Sequence, residues 1–230
     1  MLRRTSLILI VSAMVTSGLF SQSTKYKVSS QKDKNGYAYE TITNDPLQAR
    51  IYTLQNGLKV FLTYHPDEPR IQTLIGVRAG SAHDPVETTG LAHYFEHMMF
   101  KGTNKIGTSN WESEKVLLDQ ISDLFEIHRR TTDPGQKREI YHRIDSLSVL
   151  AAQFAIPNEY DKMISSLGAK NTNAGTSLDY TVYINDIPSN EFERWVMLES
   201  ERFQNIVLRL FHTELETVYE EFNMYQDQDR

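Results

Sequence analysis

Not one cysteine occurs in the 230 residues. That excludes disulfides, thiolate metal ligands and the lipid-modified cysteine of a lipoprotein start, so any metal site must be built from His, Asp and Glu. Positive charge is also short: 24 Lys and Arg stand against 30 Asp and Glu, a formal net charge of −6. A mildly acidic chain without a basic stripe is a poor partner for nucleic acid. Long apolar runs are missing too. The one candidate, Leu7 to Phe20, is broken by small polar residues and is too short to span a bilayer. Arg3 and Arg4 precede it and polar sequence follows from Ser21, so residues 1–21 read as a secretory signal peptide of a secreted or periplasmic protein. An uncleaved membrane anchor is the alternative, because Leu19-Phe20-Ser21 is a poor small-x-small cleavage site. Removing that leader takes away two arginines and no acid, which moves the net charge from −6 to −8. Roughly 180 residues then remain beyond a polar stretch, enough for one well-cored domain but hardly for two.

What is present is concentrated in His93-Tyr94-Phe95-Glu96-His97, within an apolar, helix-compatible segment from Gly90 to Phe100. On a helix, residues four apart stack one turn above each other, about 6 Å apart. His93 and His97 can therefore point two imidazole nitrogens at one metal ion, and Glu96 can reach a water bound to it. Two ligands and a base within one turn form the inverted version of the His-Glu-x-x-His zinc peptidase signature. The plain alternative is two partly buried histidines beside a surface glutamate.

Along the chain, residues 22–47 form a polar leader, and Ser23 to Pro46 reads as an extended tether. Asn56-Gly57 predicts a hairpin between Ile51 to Leu54 and Leu58 to Tyr64. Ile71 to Ala79 alternates as a strand, and Gly80 to Pro85 is a loop before the motif helix. From Trp111 to about Ile156 the spacing predicts a helical hairpin: Ser109 and Glu112 have the form of a capping box, while Asp133-Pro134 turns into the second helix. Its apolar stripe (Ile140, Ile144, Leu147, Ala151, Phe154) reads as the two helices packing on each other. A short helix from Glu159 ends at Gly168, and Thr172 to Ile187 is strand material with a turn near Gly175 to Leu178. Asn190 and Glu193 open a further helix, and the last one starts near Phe211. This order predicts an α+β fold, mainly an antiparallel sheet with helices on one face.

A catalytic zinc takes three protein ligands and an open position for water. His65, His83, His128, His142 and His212 each lie beside turns or charged residues and read as solvated. A carboxylate of the last helix remains. Glu214 and Glu221 share a face there, roughly 10 Å apart along the axis, so only one of them can touch the metal directly. Spacing alone does not choose between them.

The block Gly90-Leu91-Ala92-His93-Tyr94-Phe95-Glu96-His97-Met98-Met99-Phe100-Lys101-Gly102-Thr103 resembles the signature of the pitrilysin/insulinase family of zinc peptidases. Asn173-Ala174-x-Thr176-Ser177-x-Asp179-x-Thr181-x-Tyr183 resembles that family's edge strand, and Glu214-Leu215-Glu216-x-Val218-x-x-Glu221 its distal helix. The resemblance implies one zinc per chain, held by His93, His97 and Glu221, with Glu96 as general base and Glu214 orienting the site. It also implies that Asn173 and Ala174 hold substrate backbone by β-augmentation. The implied activity is a secreted zinc metalloendopeptidase acting on peptides or unfolded proteins, in a peptidase N-terminal domain spanning residues 48–230.

Two departures stand out. The stretch between the zinc helix and Asn173 is longer than the family pattern by one helical hairpin, about 111–156, an inserted element that could shield or reshape the entrance. The chain also stops inside a charged helix with no terminating signal, and the family's second half, which closes over the first, is absent from the sequence. A separate C-terminal half or second subunit would then close the site. Two other readings follow: a non-catalytic peptide-binding or partner subunit of the same fold, and an inactive truncated fragment.

Overall fold

In the computed structural model, which describes residues 26–228, Asn56-Gly57 turns one strand back on another. Gly57 sits at φ +86°, a conformation that costs glycine little. β3 (Arg50–Thr53) pairs antiparallel with β4 (Lys59–Leu62). Ahead of them β1 (Val28–Lys32) and β2 (Ala38–Ile42) form a second hairpin, and the sheet order is β1-β2-β3-β4. The stretch expected as an extended tether is therefore strand from Val28 onward. Its turn is local chemistry: Asp33 Oδ1 accepts from the backbone N–H of Asn35 and of Tyr37, both at 2.9 Å. Composition concealed β1 because all five of its residues are exposed, which leaves no apolar alternation to read. The expected signal peptide, residues 1–21, lies outside the described residues.

Contacts divide the chain between Asp67 and Glu68 into two compact units. That sheet belongs to the first unit, and everything that follows to the second. There β5 (Arg70–Val77), β7 (Thr181–Pro188) and β6 (Lys170–Thr176) form an antiparallel sheet in the order β5-β7-β6, with β6 at an edge. Every second residue of β7 is buried: Thr181, Tyr183, Asn185 and Ile187. Opposite them on β5 stand Ile75, Thr73 and Ile71, so one face of the sheet is covered, with its polar members Thr73 and Thr181 hydrogen-bonded to backbone carbonyls. The turn between β6 and β7 falls at 177–180, two residues later than expected, because Gly175 and Thr176 still pair with Val182 and Thr181.

Helices α1 (Leu91–Met98), α4 (Glu159–Ser166) and α5 (Phe192–Gln204) contribute to the core on that face. Tyr160, Ile164, Trp195 and Leu198 pack with Ile106 and Ile187. Arg202, 1% exposed, lies 4.5–5.3 Å from the ring centres of Phe100, Tyr160, Tyr183 and Phe203 and is paired with Glu199. The architecture is α+β with helices on an antiparallel sheet, as the element order indicated.

The helical hairpin is α2 (Trp111–Arg130) and α3 (Pro134–Ala152), closed on a separate core of Ile121, Leu124, Ile144 and Ala151. Asp133 caps α3, its carboxylate accepting from Gln136 N at 2.7 Å, with Pro134 in the first turn. The cap of α2 differs from the expected Ser109–Glu112 box. Asn110 caps instead, accepting from Ser113 N at 3.1 Å, because the Ser109 hydroxyl donates to Phe154 O and closes the base of the hairpin. Helix α5 is likewise entered through a short 3-10 turn, Ser189–Glu191, rather than from a side-chain cap at Asn190. The last helix is α6 (Phe211–Gln228). Among the described residues no helix is long and apolar enough to cross a membrane.

Candidate metal centre

Helix α1 starts where Gly90, at φ +90°, breaks the chain direction. Asp84 completes the start: its two carboxylate oxygens accept from Gly90 N at 2.8 Å and Ala92 N at 2.9 Å. One turn of helix then separates His93 from His97, and their Nε2 atoms lie 3.2 Å apart. Glu221 of α6 brings Oε2 to 3.6 Å from His93 Nε2 and 3.4 Å from His97 Nε2. A tetrahedral ion with ligands about 2.0–2.1 Å away sets neighbouring ligand atoms about 3.4 Å apart, so these three atoms fit one ion the size of zinc. Among the described residues they form the one such cluster of three or more acidic or imidazole ligands.

Glu214 holds the arrangement from behind. Its Oε1 lies 2.9 Å from His97 Nδ1, and its other oxygen is paired with the Lys101 ammonium. A proton on His97 Nδ1, donated to Glu214, leaves the Nε2 lone pair free to face the cluster. Tyr94 adds a third tie between α1 and α6, its hydroxyl donating to Phe211 O at 2.7 Å. Burial, and then the negative charge of Glu214, push the Tyr94 phenol up to about 12, so it remains a donor. The seven-residue spacing in α6 thus puts Glu214 and Glu221 on one face with separate tasks, Glu214 bonding His97 Nδ1 from behind and Glu221 facing the two Nε2 atoms.

Glu96 is buried, 8% exposed, and its Oε2 accepts from the Thr176 hydroxyl at 2.6 Å. The groove in front of this group is about 670 Å³ and is bordered by Asn173, Ala174 and Thr176 of β6. Asn173 is exposed and Ala174 half-buried on that edge strand, so the structure brings all seven residues singled out by the sequence to one groove or its immediate support.

Lys101, Tyr94 and Thr176 were not given roles from sequence. Thr176 lay within the edge-strand block, but nothing in its spacing pairs it with Glu96, which is 80 residues away. One histidine departs from expectation. His212, read as solvated, is half-buried against Phe211, Phe125 and Tyr141 with its Nε2 sealed from solvent, and burial lowers its pKa. Charged residues stand near it in sequence, whereas the hairpin places the rings of Phe125 and Tyr141 against it.

Residues 59–116 match the insulinase family, peptidase family M16. Human insulin-degrading enzyme is 38% identical over 76 residues, which are 32% of this chain and 8% of that protein. A probable mitochondrial-processing peptidase subunit beta of Schizosaccharomyces pombe is 45% identical over 51 residues, 22% of this chain and 11% of that one. The chain thus matches only a small part of the length of these relatives. In fold, pitrilysin superposes with a TM-score of 0.52 at 17% identity, covering 87% of this chain and 16% of pitrilysin. A protease from Helicobacter pylori gives 0.51 at 21% identity, over 75% of this chain and 30% of its own. Local sequence around the histidine helix is thus similar to the insulinase family, and the fold over most of the chain is similar to that of pitrilysin.

Proposed function

We propose that this chain is the metal-bearing domain of a secreted or periplasmic zinc metallopeptidase. The observation that carries the reading is the convergence of His93 Nε2, His97 Nε2 and Glu221 Oε2 within 3.6 Å of one another, with the buried Glu96 carboxylate lining the same groove. Relatives named as zinc proteases support zinc as the ion, one per chain. Bound there, zinc polarises a scissile carbonyl and lowers the pKa of a water molecule.

The chain's own residues do the rest. The edge of β6 at Asn173 and Ala174 receives an extended peptide by backbone pairing, which brings its carbonyl over the histidine pair. Glu96 takes a proton as water oxygen bonds to the carbonyl carbon. It then returns that proton to the amine nitrogen as the C–N bond breaks. Glu214 and Lys101 keep His97 turned toward the ion throughout. A C-terminal half or second subunit closing over the groove would exclude water and complete substrate binding.

Metal analysis and a peptide-cleavage assay on wild type, Glu96→Gln and Glu221→Gln test this reading. The wild type should hold one zinc and cleave an unstructured peptide, at least once a closing half is supplied. Glu96→Gln should keep the metal and lose activity by at least about a hundredfold, whereas Glu221→Gln should lose both. Undiminished zinc in Glu221→Gln would remove it from the ligand set, and loss of zinc in Glu96→Gln would make that residue a ligand instead of the base.

A further inference from the structure

The Glu96 carboxylate has a dedicated partner that no part of the proposed mechanism yet uses. We infer that Thr176, at the end of the substrate-facing edge strand, is the positioning residue that orients Glu96 for proton transfer. The inference rests on the peptidase reading for its kinetic consequence and on geometry alone for the orientation itself.

The Thr176 Oγ1 to Glu96 Oε2 distance of 2.6 Å falls in the range of a charge-assisted hydroxyl–carboxylate bond. A hydroxyl has one proton to give. Thr181, whose Oγ1 is 3.1 Å from that of Thr176, donates to Ala79 O at 2.9 Å, which leaves the Thr176 proton for Glu96. Oε2 is thereby committed, and Oε1 is the oxygen free to exchange protons.

Thr176 is itself tightly held. It pairs with Thr181 across β6 and β7, and the next residue closes the turn through Ser177 N to Tyr180 O at 2.8 Å. Residues 80–82 clamp the same turn: Ser81 N and Ala82 N donate to Ser177 O and Leu178 O at 3.0 and 2.9 Å. The approach is so close that a Cβ on Gly80 would lie 2.3 Å from Ser177 O, so only glycine fits there. A buried carboxylate held by a hydroxyl on a doubly fastened turn has one orientation. Without that hydroxyl, one oxygen of Glu96 has no donor in a site 8% exposed, and the group must rotate or admit water.

The test compares Thr176→Val, which keeps the β-branched shape and removes only the donor, with Thr176→Ser, which restores it. Crystal structures of the wild type and both variants read the Glu96 orientation directly, whether or not the protein cleaves peptides. Glu96 should show one carboxylate orientation in wild type and Ser, and a rotated or split one in Val. With zinc content equal in all three, Val should lower kcat by about 10- to 100-fold, the scale of a misplaced catalytic group, and leave KM within about twofold. Ser should recover most of kcat. An unmoved carboxylate in Val, an unchanged kcat, or an equal loss in Ser would each overturn the assignment. A wild type that holds zinc and cleaves nothing even with a closing half supplied would refute the peptidase reading, and the crystallographic comparison would then decide the role of Thr176 by itself.

Discussion

His97 Nδ1 and Glu214 Oε1 are 2.9 Å apart, and the second oxygen of the same carboxylate is paired with Lys101. Glu214 is thus a bridge between an imidazole of α1 that faces the candidate metal position and an ammonium just beyond the end of that helix. Its side chain is 10% exposed, against 19% for His97 and 24% for Lys101, so the pairing is partly shielded from water and ions.

Removing that bridge should loosen the metal without abolishing the site. Glu214→Gln keeps an acceptor for His97 but no charge for Lys101, and Glu214→Ala keeps neither. Zinc affinity, measured by competition with a chromophoric chelator, should fall about tenfold for Gln and toward a hundredfold for Ala, the usual cost of losing a partner behind a histidine ligand. Equal affinity in all three proteins would show that His97 is oriented by packing alone.

A second pair governs stability instead. Arg209, 2% exposed, donates from Nε and Nη2 to the fully buried Glu114 at 2.5 and 2.9 Å, and its other contacts reach the carbonyls of Lys101, Thr103 and Ile106. One guanidinium thus fixes the loop after α1, the first turn of α2 and the approach to α6. Glu114→Ala leaves that cation buried and unpaired, and should cost about 3–5 kcal/mol in urea denaturation. The double replacement Glu114→Met with Arg209→Met should lose less than Glu114→Ala, despite removing more polar groups. The reverse ranking would mean that the carbonyl contacts, rather than the buried charge, dominate.

Acid should destabilise the protein in part through His212. Its imidazole is half-buried against aromatic rings, and that burial lowers its pKa below the ordinary histidine value of about 6.5 despite the nearby Asp145 and Glu216. Above 6.5 the side chain is neutral both folded and unfolded, so it contributes no pH dependence. As pH falls below 6.5 the unfolded chain binds a proton that the folded chain refuses, and stability drops until the folded pKa is reached. Urea midpoints at pH 7.5 and 5.5 should therefore differ less in His212→Gln than in wild type. An identical difference would place the acid sensitivity elsewhere.

How much of this could be read beforehand depends on sequence distance. His93, Glu96 and His97 lie within one helical turn, so a five-residue window contains their geometry. The Asn56-Gly57 turn, the Asp133-Pro134 cap and the alternation of β5 are equally local, and each element stands where its pattern put it. Glu114 and Arg209 are 95 residues apart, and neither carries a mark that distinguishes it from a solvated charge. The choice between Glu214 and Glu221 stays open to spacing, since both face α1 and only the third dimension shows which one meets the two Nε2 atoms. The β1 strand escaped notice for the opposite reason: a strand exposed on both faces has no hydrophobic pattern.

Helix α6 behaves as a lever. Its polar fastenings to α1, Tyr94 to Phe211 and His97 to Glu214, sit within its first turn, and Val218 is the packed residue one turn further on. Glu221 lies beyond both, roughly 10 Å from Glu214 along the axis. A tilt of about 5° about the fastened end moves Glu221 by about 0.9 Å over that arm, several times the ~0.2 Å that a metal–ligand distance tolerates. The exposed side chains of Phe222 and Met224 continue the arm outward. Whatever bears on that end of α6 therefore shifts Glu221 relative to the histidine pair of the candidate site, with no need to touch the histidines.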